Sequence, residues 1–252
     1  MAALNQADIG RASGNNGMRL SRYLLLIPLI VMLLAGVYLS FRAGADYVLQ
    51  YRVNTTLDRW QQSGKPVDLP QWQQLLADAE TGVLASPNDA DLENGLGRLY
   101  DFRATSMAES ADQRKRFYAS AADHYKQVIR LRPAWPYGWM NLTMLIAKAG
   151  IFDRTFMHAL KQTIHLAPWE RTTLPNLVRL SVFAWPYMPA ADRRVIGAYL
   201  IRAAEQRSGE VRRALQQDHR VEFFCRVINR SWNENRKAAD LSFCGVKSPE
   251  KR

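Results

Sequence analysis

Residues 131–139 read LRPAWPYGW, and residues 166–170 read LAPWE. Between these two Leu-x-Pro phrases lies a segment whose apolar residues recur with the period of an α-helix. A helix that ends at Leu-x-Pro, a new helix with tryptophan near its start and a return to the same phrase are typical of helical-pair repeats. Because stacked helix pairs form extended surfaces, this stretch predicts a helical solenoid that binds partners rather than performs chemistry.

The segment upstream matches the tetratricopeptide pattern, in which two helices pair within about 34 residues. Residues 91–104 read DLENGLGRLYDFRA and place Leu96, Gly97 and Tyr100 at the Leu-Gly-x2-Tyr positions. We expect the small Gly97 to let the paired helix approach closely and Tyr100 to fill the groove between the two helices. On the paired helix, the alanine, aromatic, small and proline positions are held by Ala121, Tyr125, Val128 and Pro133.

Both units depart from the consensus. The interval from Pro87 to Pro133 is about twelve residues longer than one standard unit, which predicts an insertion at 105–116 between the paired helices. In the next unit, 136–168, Thr143 replaces the consensus glycine, and Gly150 is expected to cap the first helix. The remaining consensus positions of this unit are held by Trp139, Leu142, Phe156, Leu160, Thr163 and Pro168.

Past residue 170 the repeat pattern fades, but apolar residues keep the helical period and no alternating strand pattern of useful length appears. The sequence therefore predicts an all-α protein, with a single transmembrane helix followed by a tetratricopeptide-like α-solenoid. The expected organisation is a flexible cytoplasmic tail, a transmembrane helix, a helical stalk or linker, the helical repeats and a basic C-terminal helical region, at 1–22, 23–41, 42–66, 67–184 and 185–252.

Residues 23–41 read YLLLIPLIVMLLAGVYLSF and carry no charge. A helix needs about 20 apolar residues to cross a bilayer, so this segment predicts a single span. Arginines are more frequent before the span than after it, which favours a cytoplasmic N-terminus and a main domain on the far side. The alternative is a signal peptide cut after the Ala-Gly-Ala at 43–45, but the apolar run is longer than a signal core and Arg42 precedes that site.

The chain has two cysteines, Cys225 and Cys244. Outside the cytoplasm two such residues would form a disulfide, whereas the alternative is a pair of buried thiols. The net charge of +11 is concentrated in the last quarter of the chain. For an exported domain this charge favours an acidic polysaccharide or anionic lipid over nucleic acid, the alternative being a solvated helix face with internal ion pairs.

Motifs for catalysis are lacking in the sequence, which has no phosphate-binding loop, no nucleophile elbow and no HExxH helix. His158 and His165 have no third ligand at metal-site spacing. We therefore expect no enzyme activity, no catalytic or metal-binding residues and no cofactor.

The first helices of successive repeats are expected to line a partner-binding groove. A polar patch on one unit would face an aromatic residue and two adaptable methionines on the next, which suits a peptide or protein segment. The alternative is that this chain's own stalk or C-terminal helix fills the groove. The predicted groove residues are Asp91, Asn94, Arg98, Asp101, Tyr137, Met140 and Met144.

Three phrases together resemble one family: LRPAWPYGWMNL, the later LAPWE and the earlier GLGRLYD, behind a single N-terminal span. They are similar to the VpsP-type family of bacterial exopolysaccharide-biosynthesis proteins. The resemblance implies a bacterial inner-membrane protein with a periplasmic helical domain, which contacts proteins of a polysaccharide synthesis or export assembly. It implies no catalytic residues. The alternative function is a periplasmic module that binds an anionic glycan through the basic C-terminal helices.

Overall fold

The computed structural model describes the backbone of residues 11–232 and 244, and the side chains of residues 26–228 and 244. Every regular element in these ranges is helical, which confirms the predicted all-α class. The elements are α1 (Arg11–Ser63), α2 (Leu69–Ala85), α3 (Ala90–Ser106), α4 (Ala111–Leu131), α5 (Pro136–Lys148), α6 (Arg154–Leu166), α7 (Leu174–Ala184), a 3₁₀ turn (Trp185–Tyr187), α8 (Ala190–Gln206), α9 (Ser208–Gln217) and α10 (Val221–Trp232).

The chain divides into two compact units, residues 1–52 and 53–252. In the described part of the chain, one helical stretch, Leu26–Ser63, is long and apolar enough to cross a membrane by length and composition. Its most apolar 18 residues have a mean hydropathy of 2.0, and none of them is buried. Large apolar side chains such as Met32 and Phe41 are exposed along it. The stretch includes most of the span predicted at 23–41.

The second unit begins with helices that pair in sequence order. Helix α3 packs closely against α4, and α5 packs against α6, as the tetratricopeptide pattern predicts. The expected insertion at 105–116 is not a separate segment, because α3 continues to Ser106 and α4 already begins at Ala111. The extra residues lengthen the two helices, and Ser110 caps α4 by accepting a hydrogen bond from the backbone N–H of Gln113 at 3.1 Å.

Close approach of α3 and α4 depends on Gly97. A Cβ atom at this position would lie 2.5 Å from Cε1 of Tyr125, whose side chain is fully buried. Tyr125 therefore fills the space directly against Gly97, and Tyr100 also contacts the paired helix α4, as expected for the groove between the two helices. Tyr100 is half-buried, stacks on His124 at 5.4 Å and donates a hydrogen bond to Glu80 at 3.0 Å.

Two local details of the next pair follow from its sequence. Gly150 has a φ of 73°, and its N–H donates to the carbonyl of Ala147 at 3.0 Å, so it ends the α5 segment as a glycine cap. Thr143, which replaces the consensus glycine, is fully buried. Its hydroxyl donates to the carbonyl of Trp139 at 2.7 Å, which satisfies the polar atom inside the core.

The boundary predicted at residue 185 lies inside the second unit. One apolar cluster extends from α5 to α10 and includes Met140, Leu177, Leu200, Leu215 and Phe224. Because these helices share a core, the basic C-terminal helices continue the repeat domain rather than form a region of their own. At the other end, residues from Val53 onward, predicted as part of the stalk, also belong to this unit.

Cys225 of α10 is joined to Cys244 by a disulfide, with the two Cα atoms 5.4 Å apart. The bridge closes a segment between residues separated by 19 positions, and a loop of that size contributes about 3 kcal/mol in the chain-entropy model.

We expect the double variant Cys225→Ser/Cys244→Ser to lower the free energy of unfolding by about that amount. Chemical denaturation followed by circular dichroism measures the change. Dithiothreitol should destabilise the wild type equally and leave the double variant unchanged; a wild type that is insensitive to dithiothreitol contradicts the expectation.

Candidate binding groove

The first helices of successive pairs lie side by side and form one face, here called the first-helix face (α3, α5, α7 and α9). Helix α3 is joined to α5 by a hydrogen bond from Asn141 to Asn94 at 2.8 Å and by an ion pair between Lys148 and Asp101 at 2.6 Å. Helix α7 packs against both α5 and α9. The predicted groove residues on α3 and α5 can therefore be located on a continuous surface.

The predicted residues of α3 are engaged by this chain itself. Asn94 and Asp101 hold α5, and Asp91 pairs with Arg132 at 2.8 Å. Arg98 donates to Oδ1 of Asn54 at 2.5 Å and to Oδ1 of Asp58 at 2.6 Å. Both acceptors of Arg98 lie on the last turns of α1.

Residues 53–63, here called the stalk end, cover the α3 part of the first-helix face. Leu57 has 0% of its surface exposed. Val53 packs against Gly95 of α3, where an added Cβ atom would lie 3.4 Å from Cγ1 of Val53. The rings of Trp60 and Phe102 are 5.5 Å apart. The α3 surface is thus filled by the chain's own helix, which is the alternative that the sequence left open.

The predicted residues of α5 have three different surroundings. The Tyr137 hydroxyl donates to the Glu170 carboxylate and shares a hydrogen bond with Thr172 at 3.0 Å. The hydrogen bond to Glu170 raises the pKa of Tyr137. Met140 is buried in the core, whereas Met144 lines an open groove. The structure therefore does not bring the predicted set together in one open site, and its binding role stays a prediction.

The open groove lies between α5, α7 and the turn that follows α9. Its volume is about 440 Å³. The apolar lining comes from Met144, Leu180, Phe183 and Leu215. The polar lining comes from Asn176, Arg179, Asp218 and Arg220. An apolar wall with a few converging polar groups is the usual composition of a binding site in a cleft.

Charge in this groove is divided between one closed pair and one further cation. Arg179 donates from Nε and Nη2 to the two carboxylate oxygens of Asp218, each at 2.6 Å. These hydrogen bonds lower the pKa of Asp218 and raise that of Arg179. The guanidinium of Arg220 lies 5.9 Å from the ring centroids of both Phe183 and Phe223. The groove therefore carries a net positive charge from Arg220.

The position of Arg220 depends on a tight turn between α9 and α10. His219 adopts a φ of 52°, in the left-handed region, and the N–H of Arg220 donates to the carbonyl of Leu215 at 2.9 Å. Because the turn reverses the chain within these residues, Arg220 returns beside the α7 side chains. This geometry could not be read from the sequence.

Sequence reasoning missed the α7 contribution because the consensus pattern ends before it. One signal was present: Asn176, Leu180 and Phe183 are spaced i, i+4 and i+7, which places them on one face of a helix. Among the described side chains, no group of three or more His, Cys, Asp or Glu could hold a metal ion. The arrangement can bind a segment of another chain through apolar contact and charge.

No protein-family model matches this chain, and no curated protein matches it. Among solved structures, the human IFIT1 dimer with PPP-AAAA is similar with a TM-score of 0.51 at 13% identity, over 75% of this chain and 44% of that chain. The fold is a tetratricopeptide-like helical repeat. At this identity the likeness shows the fold alone.

Two other solved structures have lower TM-scores. A thermophilic TPR protein of Thermus thermophilus has a TM-score of 0.49 at 18% identity, over 68% of this chain and 81% of that chain. A mutant O-GlcNAc transferase of Thermobaculum terrenum has a TM-score of 0.43 at 16% identity, over 64% of this chain and 26% of that chain. The chain thus spans about a quarter of the transferase.

Proposed function

We propose that this chain is a membrane-anchored, non-catalytic helical-repeat protein that organises proteins of an exopolysaccharide or capsule synthesis and export assembly. The observation that carries a binding role is the open groove between α5 and α7, next to an α3 surface that is already covered by the stalk end. Helical repeats of this kind present extended surfaces to partners. The polysaccharide part of the proposal rests on the resemblance of residues 131–142 and 166–170 to VpsP-type proteins.

The proposed location is the bacterial inner membrane, with a cytoplasmic N-terminus and a periplasmic repeat domain. Three features support it: the exposed apolar stretch that begins at Leu26, the arginine excess before the span, and the Cys225–Cys244 disulfide, which persists in oxidising compartments.

The apolar helix is expected to remain part of the protein as an uncut anchor, because its length exceeds that of a signal core and Arg42 precedes the small-residue site. Membranes would be washed with alkaline carbonate and the retained protein sequenced from its N-terminus. Retention with residues 23–41 present is the expected result. A mature protein that begins at Asp46 and is released by carbonate contradicts the anchor.

Photo-crosslinking in living cells tests the binding role. A p-benzoylphenylalanine at Phe183 places the probe at the groove, and the same residue at Leu84 on α2 is a matched control, since both positions are exposed and Leu84 lies outside the groove lining. We expect Phe183 to capture a polysaccharide polymerase, transferase or export subunit, and Leu84 not to capture it. Capture of a protein unrelated to polysaccharide would remove the pathway assignment, and equal or absent capture at both positions would remove the groove.

A second candidate function is the binding of an anionic glycan by the basic C-terminal helices. It is favoured by a cavity of about 350 Å³ between α6 and α8, in which Trp169 stacks on Tyr199 at 6.0 Å beside His165 and Arg202. An aromatic ring beside a guanidinium suits a sugar that carries a carboxylate. Binding of oligogalacturonate that weakens with salt and is lost in Arg202→Glu would support this candidate, and loss of crosslinking at Phe183 in the same variant would not be expected.

A further inference from the structure

We propose that the segment held in the open groove belongs to a protein partner and carries a carboxylate next to a large apolar side chain. Arg220 receives the carboxylate, and an aromatic surface at the groove's edge receives the apolar group. This inference rests on the proposed function and specifies the chemistry of the partner.

The charge of the groove selects an acidic partner. Arg179 and Asp218 neutralise each other through two hydrogen bonds of 2.6 Å, so the pair has little affinity left for an outside ion. Arg220 is exposed, and it has no ion pair with any of the side chains described between residues 26 and 228. A guanidinium held over aromatic rings is positioned to bind a carboxylate in plane.

An aromatic surface continues from the groove and selects an apolar neighbour for that carboxylate. Phe152 stacks on Tyr187 with ring centroids 4.6 Å apart, and Phe183 lies 5.7 Å from Phe152. Phe183 is 48% exposed, Tyr187 is 60% exposed and Ile151 is 49% exposed. Because Phe183 also lines the groove, the exposed apolar surface and the cation form one continuous site. Exposed aromatic surface of this kind marks contacts with other proteins.

The stalk end already shows this mode of recognition within the chain. On the α3 surface, Arg98 receives the Asp58 carboxylate, Leu57 is buried beside it, and Trp60 packs against Phe102. A first-helix surface of this protein thus binds a segment in which a carboxylate is flanked by large apolar residues. The open groove offers the same combination of an arginine and a phenylalanine, Arg220 and Phe183, with no covering segment among the described residues.

The volume and lining of the site favour a protein segment over a lipid surface. A volume of about 440 Å³ between helices accepts side chains, and the Asn176 amide can both donate to and accept from an extended backbone. A flat array of headgroups would reach Arg220 but would leave the apolar wall formed by Met144 and Leu180 without contact. The occupant is therefore a segment of a partner protein.

The test uses the full chain in phosphatidylcholine nanodiscs and a displayed library of random twelve-residue peptides. We expect selection to enrich peptides with Asp or Glu within a few residues of Phe, Trp or Leu. Fluorescence anisotropy of one enriched peptide should show about a tenfold or greater loss of affinity in Arg220→Glu, and a similar loss when the peptide's acid becomes its amide. Arg212→Glu, an exposed α9 residue outside the groove lining, is the matched control and should change the affinity less than twofold.

The other outcomes each overturn the inference. Enriched peptides without acids that are lost in Phe183→Ser would keep the groove as a protein-binding site but remove its acidic specificity. Enrichment of no peptide would remove both the inference and the proposed function. Binding that appears only in phosphatidylglycerol nanodiscs would assign Arg220 to lipid. A dimer in detergent that Arg220→Glu dissociates would make a second copy the occupant.

Discussion

Tyr125→Ala is expected to lower the free energy of unfolding of the repeat domain by about 3–5 kcal/mol, the usual cost of removing a large buried ring. The ring is 1% exposed and packs in one cluster with Leu142, Leu145 and Ala159 of the following helix pair. The truncation therefore empties a space that two repeats share. Chemical denaturation followed by circular dichroism measures the loss, and a cost below about 1 kcal/mol would show that the ring is not buried between them.

Gly97 tests the same contact from the opposite side. Gly97→Trp should overpack the interface and cost about 1–3 kcal/mol or more. Gly97→Ala is the finer variant, because its Cβ alone would lie 2.5 Å from Tyr125. Gly209→Ala is the matched control, since a Cβ there meets nothing within 4 Å. In the double variant Gly97→Ala/Tyr125→Ala the two losses of stability should not add, because removing the Tyr125 ring also removes its clash with the new Cβ atom at position 97. Strict additivity would contradict the helix register.

The second large effect is expected at the stalk end. Leu57→Ala should lower the free energy of unfolding by about 2–5 kcal/mol, because the Leu57 side chain is completely buried where the stalk end packs on the first-helix face. Amide hydrogen exchange in α3 should rise at the same time, since the stalk end covers that helix through Val53, Leu57 and the Asp58–Arg98 pair.

An exposed leucine on α2 is the control for the effect of shortening a leucine side chain that is not buried. Leu84 is 83% exposed, so Leu84→Ala should change the free energy of unfolding by less than about 0.5 kcal/mol and leave exchange in α3 unchanged. If Leu57→Ala behaves like Leu84→Ala, the stalk end does not cover α3 and the prediction is wrong. If only exchange in α3 rises, the stalk end detaches without contributing to global stability.

Local chemistry made the class of fold predictable. Helical periodicity, the Leu-Gly-x2-Tyr positions and the cap at Gly150 are properties of residues close together in the chain, and each is found where the sequence places it. The length and apolarity of residues 23–41 are likewise local, so a span can be predicted without knowing what surrounds it.

The binding site was less predictable because its residues come from different helices. Periodicity shows which side of a helix is apolar, but it does not show which distant segment covers that side. Arg98 was expected to face a partner, whereas in the structure it donates a hydrogen bond to Asp58, which lies 40 residues earlier in the chain. Arg220 lies beside Phe183 because the turn at His219 reverses the chain.

The sequence by itself therefore determined the helices, their pairing order and the apolar N-terminal stretch, since these depend on contacts between near neighbours in the chain. Tertiary structure alone decided that Tyr125 packs directly against Gly97, that the stalk end closes the α3 surface, and that no other described residue covers the groove beside α7. The physical reason is that burial and ion pairing depend on which groups the fold brings together. Those groups belong to parts of the chain that are far apart in sequence, so local patterns do not identify them.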